Sequence, residues 1–351
     1  MGQPMHFGIF VEEMRQGGLG PAAAFREAFE VAENADAWGL DCVWLGEIHF
    51  APTRSVISAS LQVASSMATR TKRLRVGTAV TVLPLNHPLR IAEEVATLDH
   101  ISGGRFEFGI GRSGVVRSYD TYGIPYGESQ ARFRDALEVI KLAWKGEPFS
   151  YEGQFYRIAN ATVAPTPFQV PHPPMRMAAT TSDTFPAVAK MGMPIFIGLR
   201  AQEIPDLQDN LKLYRDAWRE AGHPGNGSVY LRIPVYTTTS EKGAAEEPRE
   251  SLLAFIGRQT ELARAAVGRA GTSKERAAQA ERMAALTYED ILEKKIISGT
   301  PPRVIERLRE LREQLGIDGI VAEMNPGGKI PAELERRSMK MLAEEVMPAF
   351  K

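Results

Sequence analysis

The stretch VGTAVTVLPLNHPLRIAEEVATLDHISGGRFEFGIGR, residues 76–112, shows most clearly how the chain folds. A β-rich apolar run over residues 74–83 is followed by Pro88, and proline is well tolerated in the first turn of a helix. The helical segment that begins there leads into a second apolar run over residues 105–112. Two buried strands joined by a helix form a parallel βαβ unit, so the stretch predicts an α/β protein with a parallel sheet.

The same alternation of strands and helices continues on both sides of this stretch. Gly39 is expected to end the first helix, because glycine tolerates the left-handed conformation of a helix cap. Strands are predicted at residues 6–11, 41–47, 74–83, 105–112, 175–180, 194–199, 229–237 and 317–324, and helices at residues 22–38, 56–68, 129–144, 184–191, 205–221 and 331–347. Eight strand–helix units predict a single domain over residues 1–351, folded as a closed (β/α)8 TIM barrel.

Two segments interrupt this repeat. Residues 149–158 place a glycine between two aromatic-rich runs and predict a small hairpin. The segment 240–298 is longer than one crossover connection needs, so it predicts an insertion between strands seven and eight. Within it, an exposed loop is expected over 241–250 and helices over 252–266 and 274–285. The insertion is either a surface elaboration or an active-site lid, because loops after the strands surround the active sites of barrels.

Composition narrows the classes of function. Hydrophobic residues make up 44% of the chain, which is enough for a large core. The net charge of -1 gives no excess of basic residues of the kind that binds nucleic acid. The only cysteine, Cys42, excludes an intrachain disulfide. The chain shows no membrane-length apolar run and no signal peptide, so a soluble cytoplasmic protein is expected. The metal-binding pattern H-E-x-x-H and the hydrolase pattern G-x-S-x-G are also missing, so no metal site and no serine hydrolase is predicted.

Catalytic groups of a barrel lie where its strands end at the C-terminal face. The second strand ends at Glu47, and His49 follows two residues later. An imidazole beside a carboxylate suits the handling of protons. A single histidine after a strand is also commonly a structural, hydrogen-bonded residue, and both interpretations stay open.

The TTSDT turn at residues 180–184 and Arg112 form a second candidate group, at the ends of neighbouring strands. Hydroxyls and free N–H groups at a helix start suit a phosphate, and Arg112 adds a charged contact. Taken alone, the turn is an N-cap cluster and the arginine a structural ion pair; together they favour a phosphate site. Gly109, Gly111 and Gly114 indicate either close approach of a flat ring or tight packing.

At these residues the chain resembles the bacterial luciferase-like flavin monooxygenases. The similarity covers nearly the whole chain and is carried by the blocks VWLGEIHF (43–50), residues 76–112, AATTSDT (178–184) and SGTPPRVIERLRELREQLGIDGIV (298–321). The resemblance implies a barrel that holds reduced FMN at its C-terminal face and uses dioxygen to oxidise a small organic substrate. It also implies a separate NAD(P)H-dependent reductase that supplies the flavin.

The resemblance assigns roles to individual residues. Glu47 matches the family's acidic residue beside the isoalloxazine ring, and Ala79–Val80 matches a non-proline cis peptide that lies against it. Ala178 matches a further ring contact. The positions that match the phosphate site are Arg112, Thr181 and Thr184, together with Thr180, which replaces an acidic residue.

Two departures from the luciferases bear on the reaction. The luciferases carry two histidines after the glutamate, whereas Ile48 takes the first place here and only His49 remains. Gly111 stands where they have a reactive cysteine. Both changes argue against aldehyde luminescence and leave the phosphate residues in place.

The resemblance further implies a homodimer formed by the helices after strands two and three. Small residues at 60–69 and aliphatic residues at 91–98 are consistent with that interface. Three functions remain open: an FMN-dependent monooxygenase, a deazaflavin-dependent oxidoreductase, and a non-catalytic luciferase-like subunit. Retention of Arg112, Thr181 and His49 favours an enzyme. No motif identifies the substrate.

Overall fold

The computed structural model describes residues 4–12, 20–200, 202–270 and 275–351, and the predicted barrel is confirmed. Each strand pairs in parallel with the next, and the last pairs with the first, so the sheet closes. The strands are β1 His6–Val11, β2 Cys42–Leu45, β3 Arg75–Thr78, β4 Phe106–Gly111, β5 Met175–Ala178, β6 Ile195–Gly198, β7 Val229–Thr237 and β8 Gly319–Glu323.

Helices surround the barrel, and two of their predicted boundary signals are confirmed, although the second helix begins at Ser60 rather than at residue 56 and the last α-helix ends at Met341 rather than at residue 347. Pro88 occupies the first turn of its helix, and Gly39 ends the first helix with φ at 84°. The helices are α1 Pro21–Trp38, α2 Ser60–Arg70, α3 Pro88–Ser102, α4 Val116–Tyr122, α5 Ser129–Ala143, α6 Thr184–Lys190, α7 Ile204–Glu220, α8 Glu241–Glu246, α9 Arg249–Ala266, α10 Glu275–Ala284, α11 Tyr288–Lys294, α12 Pro301–Leu315 and α13 Ala332–Met341.

The third predicted strand differs from its expected form. The segment 74–83 divides into β3 and a second short strand, Thr81–Val82, which pairs with β4. The two pieces flank the peptide bond Ala79–Val80, which is cis. The hairpin predicted at 149–158 is confirmed as an antiparallel pair, Phe149–Glu152 with Arg157–Ala161.

An apolar layer fills the barrel beneath its C-terminal end. Trp44 is fully buried and packs edge-on against Phe196, with ring centroids 4.9 Å apart. A Cβ on Gly8 or Gly77 would come within 2.5 Å or 2.4 Å of the Trp44 indole, so only glycine leaves room for it. Tyr230 packs beside these rings, and the layer supports the side chains at the C-terminal ends of the strands.

The described residues of the insertion form four helices, α8 to α11, around a small core. Leu252, Phe255 and Ile291 belong to that core, together with Tyr236 from β7. The strand Ile297–Gly299 also pairs with β7. The insertion is therefore anchored to the barrel through packing and through a short sheet extension.

One prediction for the insertion is wrong. Residues 241–250 were expected to form an exposed loop, but α8 occupies Glu241–Glu246 and α9 already begins at Arg249. The Ser240 hydroxyl caps α8 by accepting a hydrogen bond from the Gly243 N–H, and the buried Ala244 anchors its inner face. The predicted helices at 252–266 and 274–285 are present as α9 and α10, although Lys274 lies outside the described residues.

None of the helices in the described ranges has the length and the apolar character that crossing a membrane would require.

Candidate active site

A cavity of about 340 Å3 lies at the C-terminal ends of the strands, where a barrel places its chemistry. It brings together most of the residues singled out from the sequence. Those that line it are Glu47, Ala79, Val80, Arg112, Ala178, Thr180 and Thr184. His49 and Thr181 do not line the cavity but lie behind these residues.

Glu47 faces the cavity and is held by three partners. Its Oε1 lies 2.9 Å from His49 Nε2, and its Oε2 accepts longer bonds of 3.4 Å from the Ser60 hydroxyl and from the Val82 N–H. The Glu47 side chain is only 5% exposed. The carboxylate is therefore fixed in position at the cavity wall.

His49 sits on the far side of Glu47, away from the cavity. Its Nδ1 lies 3.3 Å from the Tyr122 hydroxyl, and the two rings meet edge-on. A neutral imidazole satisfies both contacts when Nε2–H donates to Glu47 and Nδ1 accepts from Tyr122. Tyr122 is 46% exposed, so this row of side chains runs from the cavity to solvent. Ile48, in the place of the luciferases' first histidine, lines the cavity instead.

Two of the three glycines around Arg112 serve packing. A Cβ on Gly109 would come within 1.8 Å of the Thr78 carbonyl oxygen, and one on Gly111 within 2.5 Å of Val80 Cγ2. The absence of side chains therefore lets β4 lie close to the segment that carries the cis peptide. Gly111 and Gly114 both line the cavity, where the absence of a side chain leaves room for a ligand.

Arg112 and the turn after β5 form one end of the cavity. The Arg112 guanidinium donates to the Ser129 hydroxyl over 3.2 Å, and the Tyr119 hydroxyl donates to the Arg112 carbonyl. Neither contact neutralises the charge of Arg112. Thr180 and Thr184 line the cavity beside it.

Thr181 is buried under this end of the cavity and is engaged within its own turn. Its hydroxyl lies 2.6 Å from Asp183 Oδ1 and 2.8 Å from the Thr184 hydroxyl. These bonds link side chains within the turn, whereas Asp183, the N-cap residue of α6, makes no side-chain capping bond, so it does not cap the helix as predicted. Thr180 and Thr184 are the threonines of the turn that reach the cavity.

The opposite side of the cavity carries a buried charge network that sequence reasoning missed. Glu12 Oε1 accepts from Arg54 Nε over 2.5 Å, and Glu12 Oε2 accepts from Arg232 over 3.1 Å. Arg232 also pairs with Glu323. Burial acts to raise the pKa of Glu12, but the positive charges of Arg54, Arg232 and Arg200 outweigh it and hold that pKa at about 2.

Arg200 belongs to this side of the cavity but is held differently. Its guanidinium lies 5.9 Å from the centre of the Phe255 ring. Within the described part of the chain, no hydrogen bond or ion pair holds it. Burial lowers the pKa of Arg200 to about 10, with a further contribution from Arg232, so the group stays charged at neutral pH.

The insertion supplies the roof of the cavity. Gln259, Leu262 and Ala263 reach it from α9, and Gln279 and Met283 from α10. The amide nitrogen of Gln259 is buried and makes no hydrogen bond among the described residues. The insertion thus borders the site, as the lid interpretation requires.

The missed residues follow the same rule that located the others. Glu12 follows β1, Arg200 follows β6 and Glu323 ends β8, all at the C-terminal face. Applying the strand-end rule to every strand would have found them. Arg54 lies in the loop after β2, and no sequence signal marks it. The described ranges contain no cluster of three or more His, Cys, Asp or Glu residues that would hold a metal ion.

The comparison with known sequences agrees with this geometry. The sequence profile of the luciferase-like monooxygenases matches residues 5–319. The oxygenase component of the flavin-dependent trigonelline monooxygenase of Acinetobacter baylyi is 26% identical over 345 residues, which cover 93% of this chain and 90% of that protein. Matches to several other curated relatives span about half of those proteins' length.

Solved structures share the whole fold. A monooxygenase from Streptomyces bottropensis superposes with a TM-score of 0.78 at 26% identity, over 99% of this chain and all of that one. The oxygenating constituent of 3,6-diketocamphane monooxygenase from Pseudomonas putida, a type II Baeyer–Villiger enzyme, superposes with a TM-score of 0.83 over 99% of both chains. Its 19% identity supports the fold alone. On the profile match over most of its length, the chain belongs to the luciferase-like monooxygenase family and is an oxidoreductase that incorporates oxygen from dioxygen.

Proposed function

We propose that the protein is a monooxygenase that takes up reduced FMN from a separate NAD(P)H-dependent reductase and oxidises a small organic substrate. One observation carries this proposal. A single cavity brings Arg112 and two threonines to one end and sets Glu47 beside the cis peptide Ala79–Val80. A phosphate-binding end joined to an apolar floor is the shape that a flavin nucleotide needs.

The residues present fit FMN. Arg112 carries a positive charge that no carboxylate neutralises in the described residues, and it would bind the phosphate with the hydroxyls of Thr180 and Thr184. Val80, Ile48 and Ala178 line the part of the cavity that would receive the ring. Bound reduced flavin supplies the electrons that activate dioxygen.

Known relatives support the division between oxygenase and reductase. The Acinetobacter relative is named as an oxygenase component, which implies a partner that reduces the flavin. The Pseudomonas structure was solved in complex with FMN. For this chain, both features are part of the proposal.

Glu47 is the group that would handle protons at the cavity. His49 contacts Glu47 but not the cavity, so it would act through Glu47 by donating the Nε2–H hydrogen bond and by passing protons to it. Tyr122 completes the path to solvent. His49 is accordingly a positioning residue in this proposal rather than the direct proton donor.

The experiment that tests the proposal is an anaerobic titration of the purified protein with reduced FMN and with a reduced deazaflavin coenzyme. We expect tighter binding of reduced FMN, followed by oxygen consumption when air is admitted. Preferential binding of the deazaflavin would replace the monooxygenase proposal with hydride transfer. Failure to bind either cofactor would favour the third function, a non-catalytic luciferase-like subunit.

We further propose that the insertion, residues 240–298, acts as a lid. The helices α9 and α10 form the roof of the cavity, and a closed roof would exclude water from the reacting groups. Limited proteolysis is expected to cut this segment more slowly when reduced FMN is present. Equal cutting rates with and without the cofactor would make the insertion a fixed part of the structure.

The homodimer remains a proposal that rests on the family resemblance. The aliphatic side chains offered for the interface, Ile91, Val95 and Leu98, are buried in the protomer's own core. An interface on α3 would therefore use its outer, polar face, which carries Arg90 and Glu94. Light scattering at micromolar concentration tests the proposal, and a monomer mass would contradict it.

A further inference from the structure

We propose that Arg200 recognises a carboxylate group of the substrate, so that the enzyme acts on small organic acids with an apolar body. This inference rests on the proposed function, because it assigns the part of the cavity that the flavin would leave free. It begins with the balance of charge on one side of the cavity.

Three guanidinium groups and two carboxylates interact on that side. Arg54 pairs with Glu12, and Arg232 bridges Glu12 and Glu323. Glu12 uses both of its oxygens for these two arginines, whereas Glu323 uses one oxygen for Arg232, and its other oxygen is buried with no hydrogen bond among the described residues. Glu12 and Glu323 act on Arg200 through space, but three guanidinium groups against two carboxylates leave one positive charge in excess, and Arg200 is the one that neither carboxylate pairs with.

A charge that is largely removed from water and has no ion-pair partner is costly to maintain, and Arg200 is partly buried at the cavity wall. Transfer of a guanidinium from water into a protein is unfavourable unless a counter-charge or hydrogen bonds replace its hydration. Among the described residues Arg200 has only the distant face of Phe255, 5.9 Å away. Because Arg200 lines the cavity, a ligand can supply the missing counter-charge there.

A second donor lies on the same helix as Phe255. Gln259 follows Phe255 by four residues in α9, which places the two side chains on one face of the helix. The Gln259 amide nitrogen is buried and lacks an acceptor in the described structure. Two donors without acceptors on one side of a cavity match the two oxygens of a carboxylate.

The rest of the lining indicates the body of the substrate. Phe196, Leu262 and Met283 surround the same space with apolar groups. Arg112 follows β4, whereas Arg200 follows β6, two strands further round the barrel. The two arginines are therefore placed to bind two different anionic groups.

The test compares acids with uncharged molecules of the same shape. Benzoate, phenylacetate and 3-phenylpropanoate, and their primary amides, are titrated into the protein by calorimetry at saturating FMN. We expect at least one acid to bind about 10- to 100-fold more tightly than its amide, as a charge-assisted contact would give. Arg200→Met should remove this preference, and Arg200→Lys should retain part of it.

Control variants and cofactor binding separate the possible outcomes. Arg219→Met, at an exposed arginine on α7, should leave the preference unchanged. Arg200→Met should bind FMN as the wild type does, and its melting temperature should not fall because Arg200 has no hydrogen bond or ion pair to lose among the described residues. No preference in any acid–amide pair, or a preference that survives Arg200→Met, would overturn the inference.

Two further results distinguish this inference from the proposed function. If Arg200→Met weakens binding of FMN but not of riboflavin, Arg200 contacts the cofactor phosphate and the inference is wrong. If the wild-type protein does not bind FMN, the proposed function fails, whereas the comparison of acids with amides in FMN-free protein still tests Arg200.

Discussion

The two sides of the cavity are built by different kinds of contact. On the side of β2 to β5, the shortest polar contacts join neighbours close in the sequence, as Glu47 does with His49 and Thr181 with Asp183. On the other side, Arg232 bonds to Glu12 across 220 residues of sequence. Local contacts shape the proposed flavin side, and contacts between distant strands shape the charged side.

This difference suggests a division of tasks. On the flavin side, no carboxylate of the described residues neutralises the charge of Arg112, which suits a cofactor phosphate. On the charged side, Arg54 and Arg232 form ion pairs with Glu12 and Glu323, and Arg200 forms no ion pair among the described residues. We expect substitutions on the charged side to affect folding first and substitutions on the flavin side to affect cofactor binding first.

The largest effect is expected at Glu12. Glu12→Gln leaves the buried guanidinium group of Arg54 without a carboxylate and leaves Arg232 with Glu323 alone, and breaking a buried pair in this way costs about 3–5 kcal/mol of unfolding free energy. Urea unfolding measures the change. The control is Glu33→Gln, which breaks an exposed pair with Arg70 and should cost less than about 1 kcal/mol. Equal losses would show that the network does not stabilise the barrel.

The pH dependence of stability provides a second measure of the same network. The pKa of Glu12 is about 2 in the folded protein against an ordinary value of 4.5. A carboxyl whose pKa is lowered by folding contributes stability above its unfolded pKa and loses it as the pH falls. Stability should therefore decline between pH 4.5 and 2 more steeply in the wild type than in Glu12→Gln, and parallel curves would contradict this assignment.

The next effect is expected at Arg112. Arg112→Ala should weaken FMN binding by about 10- to 100-fold, or roughly 1.5–3 kcal/mol, and leave riboflavin binding nearly unchanged. Fluorescence titration of both ligands measures it. Arg117→Ala, at an exposed arginine of the nearby α4, serves as the control. Equal losses for the two flavins would show that Arg112 does not touch the phosphate.

The sequence predicted the flavin side better than the charged side, for a physical reason. Strand ends and a short hydroxyl turn are visible as local patterns, so Glu47, Arg112 and Thr184 could be proposed before the fold was known. The pairing of Glu12 with Arg54 and Arg232 appears only when the barrel closes and brings β1 beside β8 and β8 beside β7. The exact place of His49 behind Glu47 also depends on the tertiary structure, because it is fixed by the contact with Tyr122, 73 residues away in the sequence.

A smaller effect is expected at His49. His49→Ala removes the imidazole that contacts Glu47, so bound reduced FMN should react with dioxygen roughly 10-fold more slowly, less than the 10²–10⁴-fold of a direct acid–base group. The pH profile of that rate, measured by stopped flow, should shift as well, while FMN affinity stays within about threefold. Tyr122→Phe keeps the ring and should produce a weaker form of the same change. An unchanged rate and profile would make His49 purely structural.

The division between the two sides of the cavity is tested most directly by one set of binding constants. FMN and the preferred carboxylate probe are each titrated into the wild type, Arg112→Ala and Arg200→Met under identical conditions. We predict that FMN binding falls only in Arg112→Ala and that carboxylate binding falls only in Arg200→Met. If both ligands weaken with the same arginine, the two sides do not bind separate ligands and the account is contradicted.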